Sequence, residues 1–200
     1  MIKQLTDPAN AITGIGLMLS VLAIYVTIGG APALGVAIAL WALLADHLDG
    51  VVAARTQGRA VETGKIGKSL DSLADLVSAG VLPGVVLIVV AEGAVWALAT
   101  AMILAVASAL RLSYFNAFGL DGNRFIGVPT TYVLPVTAAA FLAAPLFSAS
   151  AFQILLALAL LLVACLHVGS LRVPKTEGRM YLVVTAYCVV ASAILFFREV

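Results

Sequence analysis

Asp46-His47-Leu48-Asp49-Gly50, with Ala54-Arg55 just beyond, and then Gly67-Lys68-Ser69-Leu70-Asp71-Ser72-Leu73-Ala74-Asp75 form the stretch from which the rest of the sequence is read. Four aspartates stand here in two pairs, and both pairs interrupt segments that are otherwise apolar. A carboxylate in a membrane span is costly unless something compensates its charge, so by default it marks a functional site. Few cations lie close by in sequence, and bound divalent ions are the simplest compensation.

The surrounding composition fixes the class. The 200-residue chain is 63% hydrophobic and only 10% charged, where a soluble domain has about 25% charged residues. Mean hydropathy is +1.14. The chain reads as an integral membrane protein. Its apolar runs are long and rich in Leu, Ala and Val, without the alternation of a membrane β-barrel, so the spans are helices. A helix crosses the hydrocarbon with about 20 apolar residues, so the length allows about seven spans and leaves no room for a separate soluble domain. Residues 1–200 therefore read as a single membrane domain.

Spans are expected over roughly Ala9 to Ile28, Ala33 to Arg55, Ile66 to Ala91, Ala94 to Phe118 and Val128 to Phe147, then one ending near Ser170, and a last from Tyr181 to Phe197. Asp7-Pro8 is a helix start, and Pro135 predicts a kink in the fifth span. The N-terminus lacks a cleavage site and is not read as a cleavable signal. Cys165 and Cys188, isolated in apolar runs, read as packing residues. Nothing suggests nucleic-acid binding: net charge is +1 and no basic-aromatic surface is apparent. The small-residue run Ala138-Ala139-Ala140 permits close helix packing, including that of a homodimer.

With seven spans, Lys3, Arg55, Arg59, Lys65, Lys68, Arg124, Arg172, Lys175 and Arg179 fall on one side and Arg198 on the other, while Arg111 lies inside a span. That bias makes the aspartate side cytoplasmic, in what reads as a prokaryotic cytoplasmic membrane. Asp46 and Asp49 are three residues apart, Asp71 and Asp75 four. On helices each pair shares a face, and the short intervening loop makes the two helices antiparallel neighbours. Carboxylates without a His or Cys cluster suit a hard cation, Mg²⁺, Mn²⁺ or Ca²⁺, and a pair of such ions is a clamp for phosphoryl transfer. Gly50 and Gly67 leave room for a ligand to approach the backbone.

This pattern resembles the signature of the CDP-alcohol phosphotransferase family, D-x2-D-G-x2-A-R-x8-12-G-x3-D-x3-D, with all four aspartates and both glycines in place. Three residues rather than two separate Gly50 from Ala54-Arg55. Either Ala53 takes the alanine place and Ala54 replaces the arginine, or the helix accommodates one extra residue. Arg111 to Asn116, Phe125 to Pro129 and Val168 to Pro174 are similar to the phosphatidylserine synthase branch. The likeness covers roughly Asp7 to Lys175.

The resemblance implies an all-α polytopic membrane fold, with a six-helix core over about 7–175 and an additional C-terminal span over about 180–198. It implies a membrane transferase of phospholipid biosynthesis that moves the phosphatidyl group of CDP-diacylglycerol to L-serine and releases CMP. Two divalent cations, Mg²⁺ or Mn²⁺, would be held by Asp46, Asp49, Asp71 and Asp75, with Asp75 also the general base. Gly50, Gly67 and Arg55 would lie on the nucleotide and its diphosphate. Inositol phosphate, glycerol phosphate or another alcohol would use the same metal centre, as would an archaeal ether-lipid donor.

Blander readings stand beside these. The aspartates would instead be ion-paired with Arg55, Arg59, Lys65 and Lys68. His47 would pack outward and His167 would sit at the interface. Arg111 either pairs with an aspartate or receives the serine carboxylate. Lys68 serves the diphosphate or marks the interface. Asn116 positions the acceptor or caps the fourth span, and Arg124, Arg172 and Lys175 are topology signals or attract anionic lipid. A divalent-cation transporter is the reading from another class, but it would distribute carboxylates through the depth of the bilayer rather than at one boundary.

Overall fold

The computed structural model describes residues 1–174 and 178–199; Lys175, which the charge bias uses, lies outside the described residues. Asp7 opens the bundle. Its carboxylate accepts the Asn10 amide at 3.1 Å, and Pro8 takes the first helical position of α1 (Pro8–Ile28), where a backbone N–H would have no partner. Gly29 and Gly30, the latter at φ 95°, turn the chain into α2 (Pro32–Arg55), which returns along α1. Small residues let the two backbones approach: a Cβ on Gly16 would lie 3.3 Å from that of Ala45, and one on Gly35 would collide with Thr27.

A continuous helical rod, Val61–Val90, follows. It comprises α3 (Val61–Asp75), a π-helical segment Leu76–Val81 and α4 (Leu82–Val90). It begins earlier than the Ile66 expected, because the polar residues before Ile66 are helical and Glu62 in the first turn complements the helix dipole. The π segment was not anticipated. Pro83 lacks a donor and its ring crowds the carbonyl four residues back, and a widened turn relieves both problems. That turn starts immediately after Asp75. α5 (Val95–Phe118) then packs tightly on this rod, since a Cβ on Gly84 would fall 2.8 Å from Ala101 Cβ and one on Gly80 3.1 Å from Ser108 Cβ.

The next apolar element, Thr130–Leu146, is shorter than the six membrane-length helices among the described residues. Its centre is α6 (Val133–Ala143), with a single 3-10 turn on either side. Pro135 sits in the first turn of α6 rather than kinking a longer span, because the backbone N–H groups of that turn need no helical partner. Ala138 and Ala140 are buried within the chain, so this small-residue run packs against the chain's own helices and gives no support to a dimer.

α7 (Ala149–Val168) is capped by the Ser148 hydroxyl. α8 (Arg179–Glu199) packs against α2 and α6. Tyr187 donates to the Pro135 carbonyl at 2.8 Å, and Arg198 donates to the Phe141 and Leu142 carbonyls at 3.2 Å. The C-terminal span is thus fastened into the bundle.

Two short strands close one end. β1 (Arg124–Ile126) pairs antiparallel with β2 (Arg172–Pro174), Phe125 facing Val173. Gly127, at φ 76°, backs onto α7 so closely that a Cβ would meet the His167 carbonyl. Inside, Leu40, Leu82, Val86, Leu87, Leu104, Leu134, Leu156, Leu160 and Leu195 form the core; outside, residues such as Met18, Leu158 and Phe197 remain exposed, as a lipid-facing surface requires. The fold is the all-α polytopic membrane architecture that composition indicated.

Candidate active site

The helical period brings the two acidic pairs together. Asp46 and Asp49 project from the C-terminal half of α2, Asp71 and Asp75 from the last turns of α3. One carboxylate oxygen from each of Asp46, Asp49 and Asp71 lies within 4.8 Å of the others. Asp75 lines a cavity of about 200 Å³ together with Asp46 and Asp71. Thr13 on α1 donates to Asp49 and fixes its orientation.

No cation among the described residues is ion-paired with this cluster. Among the described residues the ion pairs are Arg59 with Asp7 and Arg172 with Asp121, and neither involves the quartet. The ion-pair alternative, with Arg55, Arg59, Lys65 and Lys68 as partners, is therefore not what the chain builds. An all-oxygen, uncompensated donor set suits hard divalent cations, so the residues present fit such ions.

On one side of the cluster is a cavity of about 200 Å³ lined by Asn10, Thr13, Gly50, Arg59, Gly67 and Lys68, among others. Gly50, Gly67 and Lys68 thus come together as the sequence suggested. Gly67 has a steric reason as well: a Cβ there would collide with Asn10 Oδ1 and lie 2.7 Å from Arg59 Nη2. Arg55 is not among the lining residues. It lies exposed at the end of α2, whereas Ala53 is among the residues that line the cavity.

Beside Lys68, the cation that lines this cavity is Arg59. Its Nε donates to Asp7 Oδ2 at 3.1 Å, and its Nη2 donates to Asp7 Oδ1 at 2.9 Å and to Asn10 Oδ1 at 2.7 Å. The sequence signals were Asp7 before a helix and an arginine in the loop, but their contact spans the length of two helices and has no local signature.

The cavity holding Asp46, Asp71 and Asp75 is also lined by His47, Arg111, Phe115, Phe125, Thr130 and Tyr181. Arg111 is buried, with its guanidinium carbon 5.3 Å from the Phe125 ring centre and 5.8 Å from that of Phe115. It pairs with no carboxylate among the described residues. His47 does not pack outward as expected. Its Nδ1 lies 2.8 Å from the Leu43 carbonyl, and its ring meets Tyr181 edge-on at 5.6 Å, because the cavity is broad enough to include successive positions of α2. Thr130 and Tyr181, on distant segments, were not singled out in the sequence.

Asn116 takes another place. Its side chain donates to Ser72 Oγ at 2.8 Å, tying α5 to α3, and it does not line the cavity with Arg111. Lys68 Nζ donates to the Asn116 carbonyl at 3.4 Å and stands 5.5 Å from the Phe115 ring centre. His167, expected at an interface, is buried, with Nδ1 donating to the Val128 carbonyl at 2.9 Å.

The sequence model of the CDP-alcohol phosphatidyltransferase family matches residues 7–170. Among curated proteins, the archaetidylserine synthase of Methanothermobacter thermautotrophicus is 30% identical over 158 residues, which is 78% of this chain and 65% of that protein. The chain thus spans slightly under two thirds of the length of this relative.

Proposed function

The chain belongs to the CDP-alcohol phosphatidyltransferase family, and on that premise we propose that it transfers the phosphatidyl-type group of a CDP-lipid to L-serine, releasing CMP at the cytoplasmic face of the membrane. The observation that carries this reading is the aspartate quartet itself. Four acidic side chains from two helices converge with no ion-paired cation among the described residues, beside a cavity that also contains an arginine in no ion pair among them.

Asp46, Asp49, Asp71 and Asp75 would hold two divalent cations, Mg²⁺ or Mn²⁺. When bound, these neutralise charge on the diphosphate and on the reacting phosphoryl group. The CDP moiety lies against Gly50, Gly67, Asn10, Arg59 and Lys68, with the lipid chains in the bilayer. Gly67 keeps the α3 backbone close enough to α1 for Asn10 and Arg59 to form one wall. Thr13 holds Asp49 in a fixed rotamer.

The serine carboxylate pairs with Arg111, whose guanidinium is held between Phe115 and Phe125 and keeps its charge at any physiological pH. Asp75 takes the proton from the serine hydroxyl. The hydroxyl oxygen attacks the phosphorus that bears the lipid, and the bond from that phosphorus to the CMP oxygen breaks. Phe115, Phe125 and Pro129 line the chamber and limit water, which would otherwise compete with serine.

Serine as the acceptor is supported by the likeness to an archaetidylserine synthase. The same relative makes an ether-lipid donor a reading to test beside CDP-diacylglycerol. Purified protein incubated with either CDP-lipid, Mg²⁺ or Mn²⁺ and a panel of alcohols is expected to release CMP with serine. Release with inositol phosphate or glycerol phosphate alone would replace the acceptor, and no release with any alcohol would remove the transferase reading.

A further inference from the structure

Between α5, the end of β1 and the end of α7 lies a third cavity of about 320 Å³, whose lining includes Leu110, Arg111, Tyr114, Ile126, His167 and Gly169. Two polar atoms on its lining residues are buried without a partner among the described residues, Arg111 Nε and His167 Nε2. The side chains are only 5% and 2% exposed. Leaving a buried polar group unpaired costs about 1–3 kcal/mol. Two such groups on one cavity point to a ligand that completes them.

The two groups have opposite demands. Arg111 carries donors only. The His167 Nδ1 lies 2.9 Å from the Val128 carbonyl. A carbonyl only accepts, so Nδ1 carries the hydrogen, and in the neutral ring Nε2 retains a lone pair. Val168 and Gly169, also on the lining, end α7, and a helix C-terminus presents partial negative charge. One part of the lining therefore attracts a carboxylate and another an ammonium.

Arg111 also lines the chamber of Asp46, Asp71 and Asp75. The two cavities thus meet at Arg111. The tetrahedral Cα of a hydroxy amino acid carries three suitable arms: a carboxylate, an ammonium and a hydroxymethyl group.

We infer that His167 Nε2, aided by the carbonyl end of α7, receives the ammonium of the acceptor while Arg111 holds its carboxylate, which makes this site selective for zwitterionic hydroxy amino acids. The inference rests on the serine-transferase reading above. An anionic acceptor such as glycerol phosphate would instead set its charge against a lone pair and a helix C-terminus.

The test compares L-serine with L-glycerate, in which a hydroxyl replaces the ammonium, using the full chain reconstituted in lipid with CDP-diacylglycerol and Mn²⁺ or Mg²⁺. Wild type is expected to favour serine at least about tenfold in kcat/KM, the scale of one lost hydrogen bond to a charged group. His167→Asn keeps an amide to donate to the Val128 carbonyl but has no acceptor at the Nε2 position. It is expected to raise KM for serine about tenfold, leave KM for CDP-diacylglycerol in place, and bring the serine-to-glycerate ratio towards unity. His167→Gln, whose Oε1 reaches the Nε2 position, is expected to restore part of that ratio.

An unchanged ratio in His167→Asn, or an equal loss for both acceptors, overturns the inference and leaves serine transfer standing. A wild-type ratio near unity overturns it as well, and needs no variant to fold. Release of CMP by wild type with another alcohol as acceptor but not with serine removes the serine reading, and the role of His167 falls with it.

Discussion

Arg59 grips Asp7 with two parallel hydrogen bonds, Nη2 to Oδ1 at 2.9 Å and Nε to Oδ2 at 3.1 Å, and so ties the loop before α3 to the cap of α1. Asp7 accepts the Asn10 amide at the same time, so one carboxylate sets both the start of a helix and the position of a cationic wall.

Arg59→Ala is therefore expected to raise KM for the CDP-lipid at least about tenfold, the scale of lost charge-assisted hydrogen bonds, with KM for serine nearly unchanged. Arg59→Lys should rescue little, because a lysine cannot make the paired geometry. Arg55→Ala, at an exposed position off the cavity, is the contrast and should stay within about twofold of wild type, as surface substitutions commonly do. Steady-state kinetics on the three variants checks the assignment; an Arg55 effect equal to that of Arg59 would reverse it.

Asp75→Asn should lower kcat by about 10²–10⁴-fold, the usual contribution of a general base. The amide retains the shape of the side chain but cannot accept the proton. Turnover near that of wild type in the purified variant would take the base role away from Asp75.

Removal of divalent ions with a chelator should abolish CMP release, and Mn²⁺ or Mg²⁺ should restore it. Mn²⁺ binding followed by electron paramagnetic resonance gives a readout that does not depend on turnover. Asp46→Asn and Asp71→Asn should each weaken that binding, since both contribute an oxygen to the 4.8 Å cluster. Mn²⁺ affinity equal to wild type in both variants would contradict the assigned ligands.

Gly84→Val tests packing rather than chemistry. The smallest possible side chain at this position would already place its Cβ 2.8 Å from Ala101 Cβ, and a branched one would force α4 and α5 apart. Overpacking of this kind costs about 1–3 kcal/mol, to be seen as a lower unfolding temperature in detergent. An unaltered thermal midpoint would show that the helices have more freedom than this contact implies.

Tyr181 comes from α8, beyond the residues 7–170 that the family model matches, yet it lines the chamber and meets His47 at 5.6 Å. Tyr181→Ala should open that wall and let bulkier alcohols compete with serine. An acceptor panel run on wild type and variant would reveal it; identical selectivity would limit α8 to a structural role.

The sequence announced some of this better than the rest, for physical reasons. Spacings of three and four residues map directly onto a helix face, so Asp46, Asp49, Asp71 and Asp75 could be grouped without a fold. Arg111 was conspicuous because a charge inside an apolar run has few explanations. Arg59 was not conspicuous, because its partners Asp7 and Asn10 are brought to it only when α1 and α2 pack. The π segment at Leu76–Val81 depends on Pro83 in a helix long enough to absorb it, which a hydropathy profile does not register. β1 and β2 are three residues each, and neither shows the alternation from which a strand is recognised. His47 was misread because one helical turn was divided into a functional and a lipid side, while the chamber extends across that division.

The pairing of Phe125 with Val173 also bears on how the protein is made. The acidic quartet is complete once α3 has been synthesised, but β1 must wait for α6 and α7 to enter the bilayer before β2 leaves the ribosome. Until then the Val128 carbonyl lacks His167 and the wall around Arg111 is unfinished. A nascent chain therefore carries its acidic centre for the time needed to make and insert α4 to α7, and that order of assembly delays competence until membrane integration is nearly done.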